Sequence, residues 1–108
     1  MNVLYMVSGE IAPDVEAAWD AWNTEHHLPD VLREPGFLRA RKYRLEGDAP
    51  DGWKRWLIVY EMESREALEA YLTGEAVIRL RNDHTVRFGG RTRLTRSIGI
   101  PSATLERA

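Results

Sequence analysis

The order of strand-forming and helix-forming segments is the strongest constraint on the fold of this sequence. Apolar or alternating segments rich in strand formers predict strands at residues 2–8, 37–45, 53–62 and 91–100. Helical periodicity begins at Pro13-Asp14, and it begins again after Ser64, a plausible N-cap, continuing to residue 88 with an interruption at Thr73-Gly74. The resulting order, strand, helix, strand, strand, helix, strand, predicts an α+β, ferredoxin-like βαββαβ fold. In that fold a four-stranded antiparallel sheet carries the helices on one face.

A chain of 108 residues is long enough for one domain, which we expect at residues 1–100. Residues 101–108 are expected to form a C-terminal tail that is loosely held or reaches a neighbouring subunit. The first and third strands are apolar on both sides, so the face of the sheet without helices also needs a cover. We therefore expect a homodimer in which the two bare sheet faces pack together.

Composition narrows the possible functions. The formal charge is −2, from 15 basic and 17 acidic residues, so no strong overall field favours nucleic acid or anionic lipid. Cysteine is absent, which excludes disulfides, thiolate metal ligands and a cysteine nucleophile. We find no leader, membrane segment or RNA-binding aromatic motif and expect a cytoplasmic protein without nucleic-acid or membrane partners. HExxH, P-loop and GxGxxG motifs are absent as well, so no metal or cofactor is predicted.

The stretch EHHLPD, residues 25–30, places two histidines side by side at the expected end of the first helix. A rotation of about 100° per residue puts His26 on the same stripe as Trp19 and Trp22, so regular helical geometry favours His26 as the inward histidine. Pro29 disfavours helical geometry before it and is expected to stop or kink the helix, which could swing His27 inward instead. Another interpretation is that one imidazole packs on Trp22 and the other is solvated.

This stretch and a later one together resemble a known family. The sequences WDAWNTEHHLPDVLREPGF and LRNDHTVRFGGRTRL are similar to those of the dimeric α+β barrel superfamily, and most closely to the small bacterial DUF4286 and EthD-like proteins. That group pairs an E-H-x-P-D-V-L stretch with an H-x-x-R-F-G stretch, and aligning the first on Pro29 selects His27, whereas aligning on Glu25 selects His26. The second stretch corresponds to His84, Arg87 and Phe88, followed by glycine. The resemblance implies the dimeric barrel fold, and relatives include cofactor-free isomerases, cyclases and monooxygenases.

The histidines of both helices would oppose one side of the sheet and could share a cavity with strand residues. Histidine titrates near neutral pH and can move a proton, while arginine or tyrosine can stabilise an oxyanion. We therefore predict a cofactor-independent isomerase, cyclase or lyase acting on a small apolar carbonyl or aromatic metabolite. The alternative is a non-catalytic small-molecule-binding or accessory protein. The predicted catalytic residues are His27, His26, His84, Arg87 and Tyr43, and the predicted substrate-binding residues are Trp22, Asp30, Tyr60, Arg41 and Phe88.

Overall fold

A computed structural model describes residues 1–108, and its element order is the predicted one. The strands are β1 (Val3–Ile11), β2 (Phe37–Asp48), β3 (Lys54–Met62) and β4 (Thr92–Gly99). The helices are α1 (Glu16–Trp22), α2 (Leu28–Leu32), α3 (Arg65–Leu72) and α4 (Glu75–Phe88), with a π-helical turn at Asn23–His27 and a 3₁₀ turn at Gly89–Arg91. None of these helices is both long and apolar enough to span a membrane.

The four strands form one antiparallel sheet in the order β2-β3-β1-β4, which confirms the ferredoxin-like fold. Side chains of a strand alternate between the two faces. On β1 the odd-numbered residues from Val3 to Ile11 lie on the face covered by helices, which we call the inner face, and on β3 the even-numbered residues from Trp56 to Met62 do so. The inner face and the helices bury the core of the molecule between them.

The strand β2 does not follow the prediction. Regular alternation along a strand would put Phe37, Arg39, Arg41 and Tyr43 on one face, but a bulge between Phe37 and Arg39 shifts the register there. Phe37 packs against the core, while Arg39, Arg41 and Tyr43 pair with the odd-numbered residues of β3 and lie on the outer face. The inner face takes Lys42, whose amine is 4.8 Å from the Trp19 ring centre and 4.9 Å from that of Trp56.

The helices after β3 begin and break where the sequence predicts. The Ser64 hydroxyl accepts a hydrogen bond of 3.0 Å from the backbone N–H of Ala67, which caps α3. The helical run breaks at Thr73-Gly74, and α4 begins at Glu75. The buried face of α4 carries Val77, Leu80 and His84, as its periodicity indicates.

The first helical segment continues further than predicted. We expected Pro29 to stop or kink the helix and a turn to follow, but the chain stays helical to Leu32, and Pro29 lies in the first turn of α2. Proline is tolerated there because it has no N–H to pair and the π-helical turn before it already departs from the α-helical hydrogen-bond pattern that proline interrupts. The change of geometry is absorbed by the π-helical turn directly before it.

Candidate functional site

An aromatic cleft lies between the inner face of the sheet and the helices. Its walls come from β1, β3 and β4 on one side and from the helical segments on the other, and its free volume is about 40 Å³. The lining residues are Tyr5, Val7, Gly9, Trp19, Asn23, His27, Val31, Trp56, Ile58, Tyr60, Tyr71, Leu80, Arg81, His84, Leu94 and Arg96. The site is therefore narrow, mostly apolar and furnished with a few polar groups, the composition typical of a small-molecule site.

The π-helical turn explains why His27, and not His26, faces this cleft. The backbone N–H of Leu28 donates to the carbonyl of Asn23, five residues back, where an α-helix would use a carbonyl four residues back. The turn therefore accommodates one residue more than an α-helical turn, and the inward position after Trp22 is residue 27. Pro29 is compatible with this pattern because it has no N–H to donate to a preceding carbonyl.

The His27 imidazole is half-buried in the wall of the cleft. Its ring stacks on Trp22 with ring centres 4.9 Å apart, and its centre is 6.2 Å from that of His84. Burial lowers the pKa of His27 below its usual value, against the opposing effect of the Asp83 and Asp30 charges. Its Nδ1 atom is buried and has no hydrogen-bond partner. The ring is thus neutral at neutral pH, and neither nitrogen is engaged by another protein group.

The His84 imidazole is fixed in one tautomer. The indole Nε1–H of Trp19 donates to Nε2 of His84 at 3.1 Å, within the core. Because an indole can only donate, Nε2 must be unprotonated, and the proton of the neutral ring resides on Nδ1. Burial, together with the nearby His27 and Arg96, lowers the pKa of His84 to about 4 against the opposing charge of Asp83. His84 therefore remains a neutral N–H donor over the whole physiological pH range.

Asn23 adds a second polar group without a partner. Its side chain is only 2 % exposed, it lines the cleft, and its Oδ1 atom has no hydrogen-bond donor nearby. Burying an amide oxygen without a partner costs about 1–3 kcal/mol. Asn23 and His27 both belong to the π-helical turn, so the unsatisfied groups concentrate at this one irregular segment.

Tyrosines and an arginine form the other end of the cleft. Tyr5 stacks on Tyr60 with ring centres 5.8 Å apart and meets Tyr71 edge-on at 6.2 Å. The guanidinium of Arg81 donates to the Tyr5 hydroxyl at 3.0 Å. Burial raises the pKa of Tyr60 far above its usual value and that of Tyr71 to about 12, so these hydroxyls stay protonated. This end offers hydroxyl groups and a cation.

The predicted histidines and strand residues divide between the cleft and the surface. His27, His84 and Tyr60 line the cleft. The prediction from regular periodicity that His26 faces inward is wrong, because its side chain is exposed on the far side of the π-helical turn. Tyr43 is 46 % exposed and lies with Arg41 on the outer face of the sheet, so neither contributes to the cleft. The physical reason is that, after the bulge, the odd-numbered residues of β2 lie on the outer face of the sheet.

The remaining predicted residues lie behind the histidines or outside. Trp22 and Phe88 pack around His27 and His84, with Trp22 5.5 Å from Phe88 and 5.8 Å from His84 between ring centres, but neither lines the cleft. Arg87 is exposed, pairs with Asp83 at 3.4 Å and stacks over the outer side of Trp22 at 5.5 Å. Asp30 forms an ion pair with Arg33 and makes no hydrogen bond to either neighbouring histidine. Asp30 and Arg87 border an open surface groove with His26.

Several lining residues were not singled out from the sequence. Arg81 lies three positions before His84 and shares its side of α4, and Arg96 lies two positions after Leu94 on the inner side of β4. Helical and strand periodicity could have indicated both. Asn23 lies four positions after Trp19 and precedes the change of helical phase, so helical periodicity could have indicated it as well. No group of three or more His, Asp or Glu side chains in the fold is close enough to bind one metal ion.

The family and the structural relatives follow from comparison with known proteins. Residues 2–98 match the model of the family described as a domain of unknown function, DUF4286, and the chain belongs to that family. No functionally curated protein matches the sequence.

Solved structures share the fold at low sequence identity. An EthD family protein from Bacillus halodurans is 19% identical, with a TM-score of 0.69 over 93% of this chain and 99% of its own. SnoaB from Streptomyces nogalater, a cofactor-independent oxygenase, is 12% identical, with a TM-score of 0.72 over 98% of both chains. HapK from Hahella chejuensis is 14% identical, with a TM-score of 0.70 over 100% of this chain and 99% of its own. The chain therefore shares its fold with an EthD family protein and with a cofactor-independent oxygenase.

Proposed function

We propose that this protein is a cofactor-independent isomerase, cyclase or lyase that moves a proton on a small apolar carbonyl or aromatic metabolite. The observation that supports it best is the pair of imidazoles 6.2 Å apart in one aromatic cleft, one free and one held in a fixed tautomer. The similarity in fold to SnoaB, a cofactor-independent oxygenase, is compatible with such chemistry but specifies neither reaction nor substrate.

In this proposal His27 is the general base. It is neutral at neutral pH because burial lowers its pKa, and a neutral imidazole can take a proton from carbon or oxygen. When the proton leaves a carbon next to a carbonyl group, the electron pair of the C–H bond moves to the carbonyl oxygen and gives an enolate. The proton then returns to a different atom, or a leaving group departs, which gives isomerisation, cyclisation or elimination.

The same proposal assigns His84 the role of a neutral donor, in place of the second acid/base role expected from the sequence. Its Nδ1–H is the free donor of a ring whose Nε2 is occupied by Trp19, and a neutral imidazole can polarise a carbonyl oxygen. Arg96 takes the role of oxyanion stabiliser that was predicted for Arg87 or Tyr43, because Arg96 lines the cleft and those two do not. The substrate would lie against the aromatic walls.

The test is proton exchange on a panel of enolisable aryl ketones and β-keto compounds in D₂O, followed by ¹H NMR. We expect exchange next to the carbonyl group for at least one compound, and loss of about 10²–10⁴-fold in rate for His27→Gln. His26→Gln is the matched control, because it changes the exposed neighbour and should retain the rate. Equal rates in both variants would refute the assignment of His27.

The rival function is a non-catalytic small-molecule-binding or accessory protein. It is supported by the stacking of His27 on Trp22 and by the hydrogen bond from Trp19 to His84, since packing within the core can account for both imidazoles. It predicts saturable binding of panel compounds with no proton exchange in the wild-type protein. Measuring binding and exchange on the same samples distinguishes the two functions.

We also propose that the molecule is a homodimer formed through the outer face of the sheet. The molecule is only 21 Å thick along its shortest axis, and no element covers the outer face, where Leu4 and Tyr43 are 36 % and 46 % exposed. Covering such a face would bury apolar surface that one chain leaves in water. Sedimentation equilibrium of the wild-type protein and of Val59→Lys, a change at the centre of this face, tests it: a dimer that becomes a monomer is expected, and a monomeric wild type would refute it.

A further inference from the structure

The charge of the cleft differs from that of the whole molecule. The chain as a whole carries a formal charge of −2, yet no Asp or Glu lines the cleft, and two arginines, Arg81 and Arg96, do. Both histidines in its wall are neutral at neutral pH, because burial lowers the pKa of each. The cleft is therefore a local positive region with aromatic walls, which favours a negatively charged ligand.

The two cleft arginines also differ from most others in the chain. Arg81 and Arg96 form no ion pair, whereas seven arginines pair with Asp or Glu side chains: Arg33, Arg39, Arg44, Arg65, Arg87, Arg91 and Arg93. Arg81 is held in place by its hydrogen bond to the Tyr5 hydroxyl, which leaves its other N–H groups available. Unpaired guanidinium groups at the edge of a mostly apolar cleft are suited to an anion that arrives with the ligand.

The charge of Arg96 affects the pKa of groups at both ends of the cleft. It lowers the pKa of His27 and His84 at one end of the cleft and of Tyr60 and Tyr71 at the other. The charge of Arg81 also lowers the pKa of Tyr71. The two cations therefore act on the same tyrosine, and Arg96 lies within electrostatic range of the proposed base.

We infer that the cleft takes an aromatic or similarly flat monoanion, whose carboxylate pairs with Arg96 and Arg81 while its ring lies against Trp19, Trp56 and the tyrosines. A carboxylate matches the planar fork of a guanidinium, and a single negative charge needs no more cations than these two. The flat shape follows from the narrow cleft. This inference rests on the proposed function and specifies the substrate class of the same site.

The test is binding of benzoate against benzamide, a pair that has the same ring and differs in charge. Binding is followed by the fluorescence of the cleft tryptophans, Trp19 and Trp56, and by NMR shifts of their indole N–H groups. We expect benzoate to bind at least about tenfold more tightly than benzamide at low salt, and the difference to shrink as salt rises.

Three variants locate the anion. Arg96→Gln is expected to weaken benzoate binding about tenfold and to leave benzamide binding unchanged, while Arg96→Lys, which keeps the charge, recovers part of the loss. Arg79→Gln is the matched control: Arg79 is an exposed arginine of α4 that forms no ion pair and does not line the cleft, so its loss should change nothing.

Several results would overturn the inference: equal affinity for benzoate and benzamide, no response of Trp19 and Trp56 to millimolar benzoate, or an effect of Arg79→Gln as large as that of Arg96→Gln. Failure of the proposed function looks different. Benzoate binding that depends on Arg96 but no proton exchange with any acid would refute catalysis and leave the anion site standing. Proton exchange on neutral ketones that depends on His27, with no preference for acids, would refute the anion site and leave the proposed catalysis standing.

Discussion

The π-helical turn and the helix α4 each place one histidine in the wall of the cleft, but they do so in opposite ways. In α4 regular periodicity carries His84 inward, and the Trp19 indole satisfies its Nε2. In the π-helical turn an extra residue carries His27 inward, and the turn leaves Nδ1 of His27 and Oδ1 of Asn23 buried without partners. A satisfied histidine is held in place, whereas an unsatisfied one is available to a ligand.

This difference separates a structural role from a chemical one. The neighbours of His84 determine its tautomer and keep it neutral, so it contributes to stability and can only donate to a ligand. Nothing in the protein determines the tautomer of His27. Unsatisfied buried groups and π-helical turns both occur often at functional sites, because neither is favoured by stability alone.

The largest expected effect comes from deleting one residue from each helical segment. Deleting Thr24 converts the π-helical turn to an α-helical one and leaves His27 four residues after Trp22, still inward, so we expect the fold to survive. Deleting Arg79 rotates the end of α4 by about 100°, which removes Leu80 and His84 from the core. We expect a loss of at least about 3 kcal/mol in the free energy of unfolding, from the exposed Leu80 and the unpaired Trp19 N–H.

Urea denaturation of both deletion variants checks this prediction. Thr24 is exposed and accepts a hydrogen bond from Lys42 at 2.9 Å, so its deletion removes only this surface contact. If deleting Thr24 destabilised the protein as much as deleting Arg79, the extra residue would not be what turns His27 inward.

The second prediction concerns acid. Because burial lowers the pKa of His84 from 6.5 to about 4, the unfolded chain binds a proton in this interval that the folded protein does not bind. The stability that the protein derives from keeping His84 neutral is therefore fully present above pH 6.5 and is lost as the pH falls toward 4. At about 1.4 kcal/mol per pKa unit, the loss from His84 amounts to at most about 3.5 kcal/mol, and His27, whose pKa is also lowered, adds to it.

Denaturation curves at about pH 7.5, 5.5 and 4.5, values above and within the interval, measure this loss in the free energy of unfolding. His84→Gln should flatten the dependence on pH, while His26→Gln should retain it, since His26 is exposed. A wild-type protein equally stable at all three values would contradict the neutral state assigned to His84.

The smallest expected effect is a gain in stability. Asn23→Leu removes a buried amide oxygen that has no partner and should raise the free energy of unfolding by about 1 kcal/mol. The same change should abolish ligand binding or proton exchange if Asn23 contacts the ligand, since the available hydrogen-bond acceptor is lost. A loss of stability would instead show that this oxygen has a partner in solution.

Much of the fold could be predicted from local patterns. The element order, the Ser64 cap and the break at Thr73-Gly74 follow from the residues within a few positions of each feature, and the structure confirms all three. The inward face of α4 follows from regular periodicity in the same way, so His84 and its neighbours on that face could be placed in the cleft.

The candidate site was predicted less completely. Of the strand residues proposed for it, Tyr60 lines the cleft and Tyr43 and Arg41 do not, and the alternation of β3, which is apolar on both sides, did not by itself select the side of Tyr60. On β2 both alternating sets mix apolar and charged residues, so the sequence alone could not show that Lys42 would lie inside and Tyr43 outside. The bulge after Phe37 added a shift in register that no local pattern indicated.

The sequence by itself determined the kind of sheet and helices, the presence of histidines near one another and the absence of cysteine chemistry, because these depend on residue types and local spacing. Only the tertiary structure decided which of the two adjacent histidines faces the cleft, that Trp19 fixes the tautomer of His84 across 65 positions of sequence, and that two unpaired arginines border the aromatic walls. The physical reason is that a one-residue change of helical phase and contacts between distant segments depend on the packing of the whole chain, which local periodicity does not record.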